Sequence, residues 1–217
     1  YISYLEIGLD GLWRQFKKVP VDDQLEPAIY IYADIINRFA IIKDRTDLIQ
    51  KINAWYTERD LNGLDAANAL IAGDPKHFIT TKVTDFNSIF FKKIGENHPD
   101  IRYWDLQSAT SIYYMFQRST FNNYIATWER ALPVEVNKIS STLKNVTDMR
   151  YLFADNIKFN KYIGNWNTSN VTTMKFMFRG ASDLNQNINT KLVTLNGVEY
   201  TAWDTTLVTT MESMFER

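Results

Sequence analysis

The stretch Asn165–Phe178 reads NWNTSNVTTMKFMF, and a close variant, AWDTTLVTTMESMF, follows at Ala202–Phe215. Both contain a Trp, a Thr-rich polar link, the tetrapeptide Val-Thr-Thr-Met and a closing Met-Phe pair. Such agreement indicates an internal repeat, and a repeat of fixed period determines the architecture of the chain that contains it.

The pattern Val-x-x-Met-x-x-x-Phe aligns five copies, whose first residues are 26, 37, 25 and 37 residues apart. Two copies therefore keep a base period and two carry an insertion, at Glu129–Lys144 and at Thr190–Ala202. Insertions at different points of a repeat are typical of stacked repeats, where loops vary without disturbing the core. The copies are Val83–Phe86–Phe90, Ala109–Ile112–Phe116, Val146–Met149–Phe153, Val171–Met174–Phe178 and Val208–Met211–Phe215.

Within a copy, the apolar positions i, i+3 and i+7 predict two turns of helix with one apolar face. Ser108, Asn145 and Asn170 precede the pattern and suit an N-cap, and Asp85 and Asp148 suit the first helical turn. The segments that follow have apolar spacing typical of an extended strand: Phe121–Trp128, Phe159–Trp166 and Leu184–Ile188. We therefore predict an α/β fold, a leucine-rich-repeat-like solenoid of short helix plus short strand repeats.

One copy alone cannot bury its large apolar side chains, so the copies must stack and share an apolar spine. Burial of one such side chain contributes roughly 1.5–3 kcal/mol, and a spine of several residues per copy gives a substantial core without disulfides. The predicted spine comprises Val83, Phe90, Phe116, Val146, Met149, Phe153, Trp166, Val171, Met174, Phe178, Trp203, Val208, Met211 and Phe215.

Residues 1–76 follow a different pattern, which predicts a helical cap or small domain ahead of a repeat domain at residues 77–217. One helix begins near Pro27 and extends to Lys43. A second covers Leu48–Tyr56 with Asp47 as N-cap, and a third covers Asp65–Ala72 and ends at Gly73. The opening stretch Tyr1–Val19 suits either a helix or a strand followed by a turn at Gly8–Gly11.

Composition excludes several classes of partner and chemistry. The 217 residues include 24 basic and 25 acidic ones, so the chain has no long-range field to attract nucleic acid or an anionic membrane. The absence of cysteine excludes disulfides, thiolate nucleophiles and cysteine-based zinc sites. No apolar run is long enough to span a bilayer. We expect contact with a membrane only through an anchor outside this sequence.

Both ends of the chain suggest a fragment or a processed product. Tyr1 is not a natural start, so we expect a signal peptide or a lipid-anchor cysteine upstream. The chain ends at Arg217, inside the fifth copy, and the ends of stacked repeats normally need a cap. We therefore expect the C-terminal face to be apolar and prone to association, with either more chain or another subunit covering it.

The stretch Phe159–Ile188, FNKYIGNWNTSNVTTMKFMFRGASDLNQNI, resembles the repeat of BspA-like bacterial surface proteins, which abounds in mycoplasma lipoproteins. The resemblance is close over Asn145–Ile188 and Ala202–Phe215 and weaker over Lys82–Trp128, and it leaves Tyr1–Lys76 unassigned. It implies a leucine-rich-repeat-like solenoid, exposure at the cell surface and a role in contact rather than catalysis. It brings no catalytic residues and no cofactor.

The residues offer little for catalysis or metal binding. His77 and His98 each lie beside a loop signal, and surface or capping roles explain them better than a metal pair. The carboxylates Asp22, Asp23, Asp183 and Glu199 could pair for acid–base work, yet nothing in the sequence places them together. We predict no enzyme activity and no catalytic, cofactor-binding or metal site.

Three asparagines, Asn145, Asn167 and Asn170, satisfy the N-glycosylation pattern. Because they fall at equivalent corners of the repeat, capping and turn roles explain them better than glycan attachment.

Four aromatic residues lie between the spine positions: Tyr113, Tyr114, Tyr151 and Phe176. They either pack between repeats or form an exposed patch that binds a protein or glycan, and we take them as candidate partner-binding residues. The two insertions are the best places for specificity, although they could equally be passive decoration. We predict a surface-displayed recognition or adhesion module. The alternative is a structural assembly component, such as an envelope or virion part, that docks to neighbouring subunits.

Overall fold

A computed structural model of the chain describes residues 2–7, 13–19, 40–70, 74–102, 104–125, 143–195 and 198–217. Several predicted features lie outside these residues. They are the start of the helix near Pro27, the turn at Gly8–Gly11, the helix end at Gly73 and most of the insertion Glu129–Lys144.

The N-terminal part contains strands as well as helices. Strands β1 (Ile2–Ile7) and β2 (Trp13–Val19) pair in antiparallel fashion, which is the strand alternative for the opening stretch. Strand β3 (Ala40–Ile41) pairs in parallel with β4 (Phe78–Ile79), so the helix predicted to extend to Lys43 is wrong over its last residues. This pair crosses the boundary predicted after residue 76. The division into two domains stays a prediction.

Helix α1 (Arg45–Asn62) includes the predicted segment Leu48–Tyr56 and is longer than predicted. Its N-cap is Asp44, whose side chain accepts a hydrogen bond from the backbone N–H of Asp47, and the prediction of Asp47 as cap is wrong. The helix ends at Gly63, where φ is 92°. The third predicted helix is shorter in the structure, as α2 (Leu64–Asn68), and a 3₁₀ turn at Pro75–His77 leads into β4.

The five copies lie side by side and are joined by backbone hydrogen bonds, and we call this assembly the repeat array. With the Val or Ala of the pattern as position 1, the N–H groups of positions 4, 6, 8 and 10 donate to the next copy. Thus Tyr114 donates to the Arg150 carbonyl at 3.1 Å and Phe116 donates to the Leu152 carbonyl at 2.9 Å. Parallel bridges at position 3 follow the same order: Asp85, Ser111, Asp148, Thr173 and Thr210.

The short helices predicted for the copies are absent from the described residues, and that prediction is wrong. The segments are successive turns in which positions 6 and 10 adopt positive φ, as at Tyr114 (59°) and Arg118 (53°). These turns aim half of the backbone N–H groups at the neighbouring copy instead of along a helix. The i, i+3, i+7 spacing therefore identifies the buried side of a series of turns. A helix with one buried face would give the same spacing.

Strands are likewise absent from the described residues of Phe121–Trp128, Phe159–Trp166 and Leu184–Ile188, which form irregular extended chain. Asparagines join these segments: the N–H of Asn160 donates to the Asn122 side chain at 3.0 Å, and the N–H of Asn185 donates to the Asn160 side chain at 2.9 Å. The unit is thus not short helix plus short strand. The leucine-rich-repeat-like solenoid stays a prediction.

The core is one continuous cluster that extends from α1 to the last copy. Its centre is a column of stacked phenylalanines at position 8, whose neighbouring ring centroids are 5.2–5.8 Å apart and nearly parallel. We call it the inner column: Phe90, Phe116, Phe153, Phe178 and Phe215. Eleven of the predicted spine residues are buried, whereas Val208 is half-buried and Met211 and Phe215 are exposed.

Helix α1 covers the first copy. Tyr56 packs edge-on against Phe90, with ring centroids 6.4 Å apart. Arg45 donates two hydrogen bonds to the Asn87 carbonyl, at 2.6 and 3.0 Å. In copies 2–5 the carbonyl at position 5 accepts a hydrogen bond from the preceding copy. The equivalent carbonyl of the first copy, that of Asn87, accepts instead from the guanidinium of Arg45.

The second insertion is a β-hairpin rather than an irregular loop. Strands β5 (Lys191–Leu195) and β6 (Val198–Ala202) pair in antiparallel fashion. The hairpin is fixed to the array because the Tyr200 hydroxyl donates to the Asn165 carbonyl at 2.6 Å. The Thr190 hydroxyl donates to the Trp203 carbonyl at 2.9 Å.

Candidate functional site

The candidate site is built at position 6 of the copies, where the backbone has positive φ throughout. Copies 1 and 5 have serine there, Ser88 (62°) and Ser213 (50°). The three middle copies have aromatic residues: Tyr114 (59°), Tyr151 (56°) and Phe176 (58°). Because the turns repeat in register, these three side chains lie next to one another along the surface of the array.

The structure brings together all four predicted partner-binding residues, and we call them the aromatic row: Tyr113, Tyr114, Tyr151 and Phe176. The ring centroids of Tyr114 and Tyr151 are 4.7 Å apart, as are those of Tyr151 and Phe176. Tyr113 lies 3.8 Å from Tyr114, measured between centroids. All four side chains are half-buried, so the row is in contact with both protein and solvent.

Cations surround the aromatic row. The Arg150 guanidinium lies 4.8 Å from the Tyr113 centroid, and Lys175 and Arg179 lie 4.9 and 5.3 Å from the Phe176 centroid. Such contacts contribute about 0.5–1 kcal/mol each at exposed sites. Arg150 also pairs with Asp148 at 2.7 Å and Lys175 with Glu212 at 2.6 Å, so these two cations are neutralised locally.

The row extends by one residue that the sequence argument missed. Phe91, at position 9 of the first copy, lies 6.3 Å from Tyr114 between centroids, and the Lys92 ammonium lies 5.1 Å from the Phe91 centroid. Phe91 is one position away from the inner column, and the sequence pattern assigned it neither to the spine nor to the candidate partner-binding residues. Only the observed turn, with positive φ at Ser88 and Lys92, shows that it leaves the core.

The Tyr113 hydroxyl remains a hydrogen-bond donor at physiological pH. Desolvation by neighbouring groups, together with a hydrogen bond to Tyr114 and the proximity of that phenol, raises the pKa of Tyr113 to about 12. A protonated phenol both donates and accepts, and its ring adds a large apolar surface. This arrangement suits binding by contact, since Tyr and Arg are the residues that most often dominate protein interfaces.

The two histidines do not meet. His98 is buried, and its Nδ1 lies 2.6 Å from the Tyr56 hydroxyl, whereas its Nε2 lies 3.1 Å from the Gly95 carbonyl. Burial, and secondarily the charge of Arg59, lowers the pKa of His98 to about 4, so it is a neutral structural residue. His77 lies in the 3₁₀ turn ahead of β4.

Other candidate acid–base and metal residues form no cluster in the described part of the chain. Among those residues, no group of three or more His, Asp or Glu side chains is placed to hold a metal ion. Asp183 and Glu199 are exposed, and Asp22 and Asp23 lie outside the described residues.

The asparagines of the glycosylation pattern make structural hydrogen bonds. The side-chain amides of Asn145 and Asn170 donate to the carbonyls of Gln107 and Lys144 in the preceding copy, at 2.6 and 2.5 Å. Ser108 makes the equivalent contact with the Thr81 carbonyl at 2.6 Å, so these residues join copies instead of capping helices. Asn167 accepts from the Ser169 N–H within a turn.

The end face of the last copy carries a second apolar surface. Leu207, Met211 and Phe215 are 52%, 43% and 57% exposed. Beside them lies a cavity of about 280 Å³, lined in part by Phe178, Leu184, Ile188 and Phe215.

Among the described residues, no helix is long and apolar enough to cross a membrane.

Comparison with known proteins identifies the family. Residues 36–143 and residues 134–217 each match the family model described as Mycoplasma protein of unknown function, DUF285. The chain belongs to this family. It is a repeat protein of Mycoplasma type, and the first match begins upstream of α1, in a part that the sequence resemblance left unassigned. Neither the curated proteins nor the solved structures gave a match.

Proposed function

We propose that the chain is a non-catalytic recognition or adhesion module displayed at a cell surface, where the aromatic row binds a protein or glycan partner. The observation that carries this proposal is the contrast at position 6 between aromatic residues in the middle copies and serine in the outer ones. The row is half-exposed and therefore available to a partner.

Aromatic residues are expensive at this position. Positive φ disfavours bulky side chains and costs about 1–2 kcal/mol per residue, whereas small polar residues are common in turns. Ser88 and Ser213 adopt the same backbone in the same array, so the turn does not require an aromatic ring. Ring stacking offsets part of the cost, at about 0.5–1.5 kcal/mol per pair. Strain of this kind clusters at binding sites, which supports a binding role for the row.

We propose further that this array is the BspA-like, leucine-rich-repeat-like solenoid of bacterial surface proteins, with its anchor outside the sequence. The support is the Trp-Asn-Thr-Ser-Asn-Val-Thr motif at residues 166–172 together with membership of a Mycoplasma family. The hairpin of β5 and β6 gives such a module a second contact region, since insertions on a repeat scaffold vary without disturbing its core.

A binding assay tests the recognition proposal. The variant Tyr114→Ser/Tyr151→Ser/Phe176→Ser reproduces in the middle copies the residue that the outer copies already have, and Tyr124→Ser is a matched control at an exposed tyrosine outside the row. Labelled protein is added to cells of the natural host, and bound fluorescence is measured by flow cytometry. We expect the triple variant to bind at least about tenfold more weakly and the control to bind normally.

Equal binding by wild type and the triple variant would contradict the proposal, once circular dichroism and thermal unfolding show that the variant is folded. Display at the surface has its own test. Mass spectrometry of the native protein should find a lipid-modified cysteine or a cleaved signal at its true N-terminus, and protease added to intact source cells should digest it.

The alternative function, a structural assembly component, draws on the apolar end face formed by Leu207, Met211 and Phe215. Such a face fits a neighbouring subunit better than solvent. An unprocessed native N-terminus, together with co-purification in a large complex that Phe215→Ser disperses, would favour this alternative over surface recognition.

A further inference from the structure

The faces of the rings in the aromatic row are already covered. Tyr151 lies between Tyr114 and Phe176 at 4.7 Å on each side, with interplanar angles of 36° and 32°. The cations Arg150, Lys175 and Arg179 approach the faces of Tyr113 and Phe176. The half-exposed parts of these side chains are therefore mainly ring rims and hydroxyl groups.

The rim and the face of an aromatic ring attract different chemical groups. An aromatic ring has a negative face and a positive rim, so a rim attracts carbonyl and carboxylate oxygens. A phenol hydroxyl donates to the same groups. A sugar, in contrast, gains most by laying its C–H groups on a free ring face, and the row has few free faces. The geometry therefore favours a protein partner over a glycan.

The charges at the two ends of the row indicate the sign of that partner. Arg150 and Lys175 already pair with Asp148 and Glu212. In contrast, Lys92 beside Phe91 and Arg179 beside Phe176 have no carboxylate within salt-bridge distance among the residues that the structure describes. Within the described part of the chain, the row thus has at each end one cation without a carboxylate at salt-bridge distance, which complements a partner with carboxylates.

We propose that the partner of the aromatic row is an acidic protein segment, whose carboxylates reach Lys92 and Arg179 and whose apolar side chains and backbone carbonyls contact the ring rims between them. This inference rests on the proposed recognition function and adds the chemical class of the partner.

A peptide selection tests the inference with a defined probe. A phage-displayed library of random dodecapeptides is selected on the wild-type chain after depletion on the triple serine variant. We expect the enriched peptides to carry at least two Asp or Glu residues beside apolar ones. A synthetic peptide of the most enriched sequence should bind wild type at least about tenfold more tightly than the triple variant, and its affinity should fall with added salt.

Charge-neutral variants isolate the role of the two cations. Lys92→Gln/Arg179→Gln should weaken the synthetic peptide by about three- to tenfold and reduce its salt dependence. The matched control, Lys82→Gln/Lys144→Gln, removes two exposed lysines outside the row and should leave binding unchanged. Enrichment without acidic residues, or equal effects of the two double variants, would overturn the inference.

Heparin serves as the glycan probe. Heparin binding that disappears in the triple variant and competes with the cellular partner would overturn the choice of a protein. Failure of the inference is distinguishable from failure of the proposed function. If the triple variant loses cell binding while Lys92→Gln/Arg179→Gln retains it, only the acidic partner is wrong. If both bind cells as wild type does, the recognition site itself is wrong.

Discussion

Two columns of rings run through the same copies, two residues apart. The inner column at position 8 is Phe90, Phe116, Phe153, Phe178 and Phe215, and the aromatic row has three of its four rings at position 6 of the middle copies. Phe153 is fully buried, whereas Tyr151 is half-exposed. The inner rings are parallel within 13°, whereas the neighbouring outer rings Tyr114, Tyr151 and Phe176 are tilted by 32–36°.

The same backbone turn, repeated along the array, places the side chain at position 8 in the core and the side chain at position 6 at the surface. The two columns therefore share one backbone repeat and differ in burial. Inside, a buried phenylalanine in each of the first four copies fills the space between the turns, and close packing aligns the rings. Outside, neither space nor packing demands a ring, and serine occurs at the ends. Stability should therefore depend on the inner column, and binding on the outer one.

The largest effect is expected from the middle of the inner column. Phe153→Ala removes a fully buried ring that stacks on Phe116 at 5.2 Å and on Phe178 at 5.8 Å. We expect a loss of about 3–5 kcal/mol in the free energy of unfolding, measured by urea titration, because lost burial and a cavity add together. Phe153→Leu keeps most of the volume and should cost only about 1–2 kcal/mol. A small loss for the alanine variant would show that the copies stack without this column.

Much of this comparison could be predicted from the sequence. The Val, Met and Phe spacing identified the buried positions, and the copies align because their pattern residues sit at corresponding places. The same alignment distinguishes the residues between the pattern positions from the spine, and these include Tyr113, Tyr114, Tyr151 and Phe176. Their meeting in one row follows from register, since equivalent positions of stacked copies must be neighbours.

The local backbone could not be predicted. Apolar residues at i, i+3 and i+7 fit a helix and a chain of turns equally well. The two differ in whether the backbone N–H groups donate within the segment or to the neighbouring copy, which the apolar pattern does not encode. At Tyr114 and Tyr151 the observed positive φ contradicts residue preference, because hydrogen bonds to the next copy override it. The half-buried Phe91 and the cations at Phe176 depend on that geometry, so the sequence could not reveal them.

The next largest effect on stability is expected at the start of the inner column, beside Phe90. Tyr56 and His98 pack beside Phe90 and Phe121, and burial followed by the charge of Arg59 lowers the pKa of His98 to about 4. The unfolded chain has an ordinary histidine pKa near 6.5 and binds the proton more readily. Stability from this residue is therefore complete above about pH 6.5 and is lost as pH falls through 4, by about 3 kcal/mol.

Urea titrations between pH 7 and 4 measure that loss. In His98→Gln the dependence on pH across this window should be shallower, whereas His77→Gln should retain most of it. Parallel slopes for wild type and His98→Gln would show that the closure of the column does not depend on a neutral imidazole.

A smaller effect is expected where the inner column reaches the end face. Phe215 stacks on Phe178 at 5.6 Å but is 57% exposed, so its ring loses less surface on folding than that of Phe153. Phe215→Ala should lower the free energy of unfolding by about 1 kcal/mol. A loss as large as that of Phe153→Ala would mean that a partner or a second copy buries this ring in solution, and sedimentation velocity would then show association.

The smallest effect on stability is expected in the aromatic row. Tyr151→Gly removes the close ring contacts with Tyr114 and Phe176, worth about 0.5–1.5 kcal/mol each, and a longer edge contact with Tyr113. It also places at φ 56° the residue that adopts this conformation most easily, which returns about 1–2 kcal/mol. The net change in unfolding free energy should be within about 1 kcal/mol of zero.

Tyr151→Ser separates the two contributions, because serine loses the ring contacts and keeps most of the backbone cost. It should be less stable than Tyr151→Gly by about 1 kcal/mol, while both variants weaken binding of the selected peptide to the same extent. If instead Tyr151→Gly is as destabilised as Phe153→Ala, the row is a second core. The difference between the two columns would then be one of exposure only, and the strain at position 6 would have a structural cause.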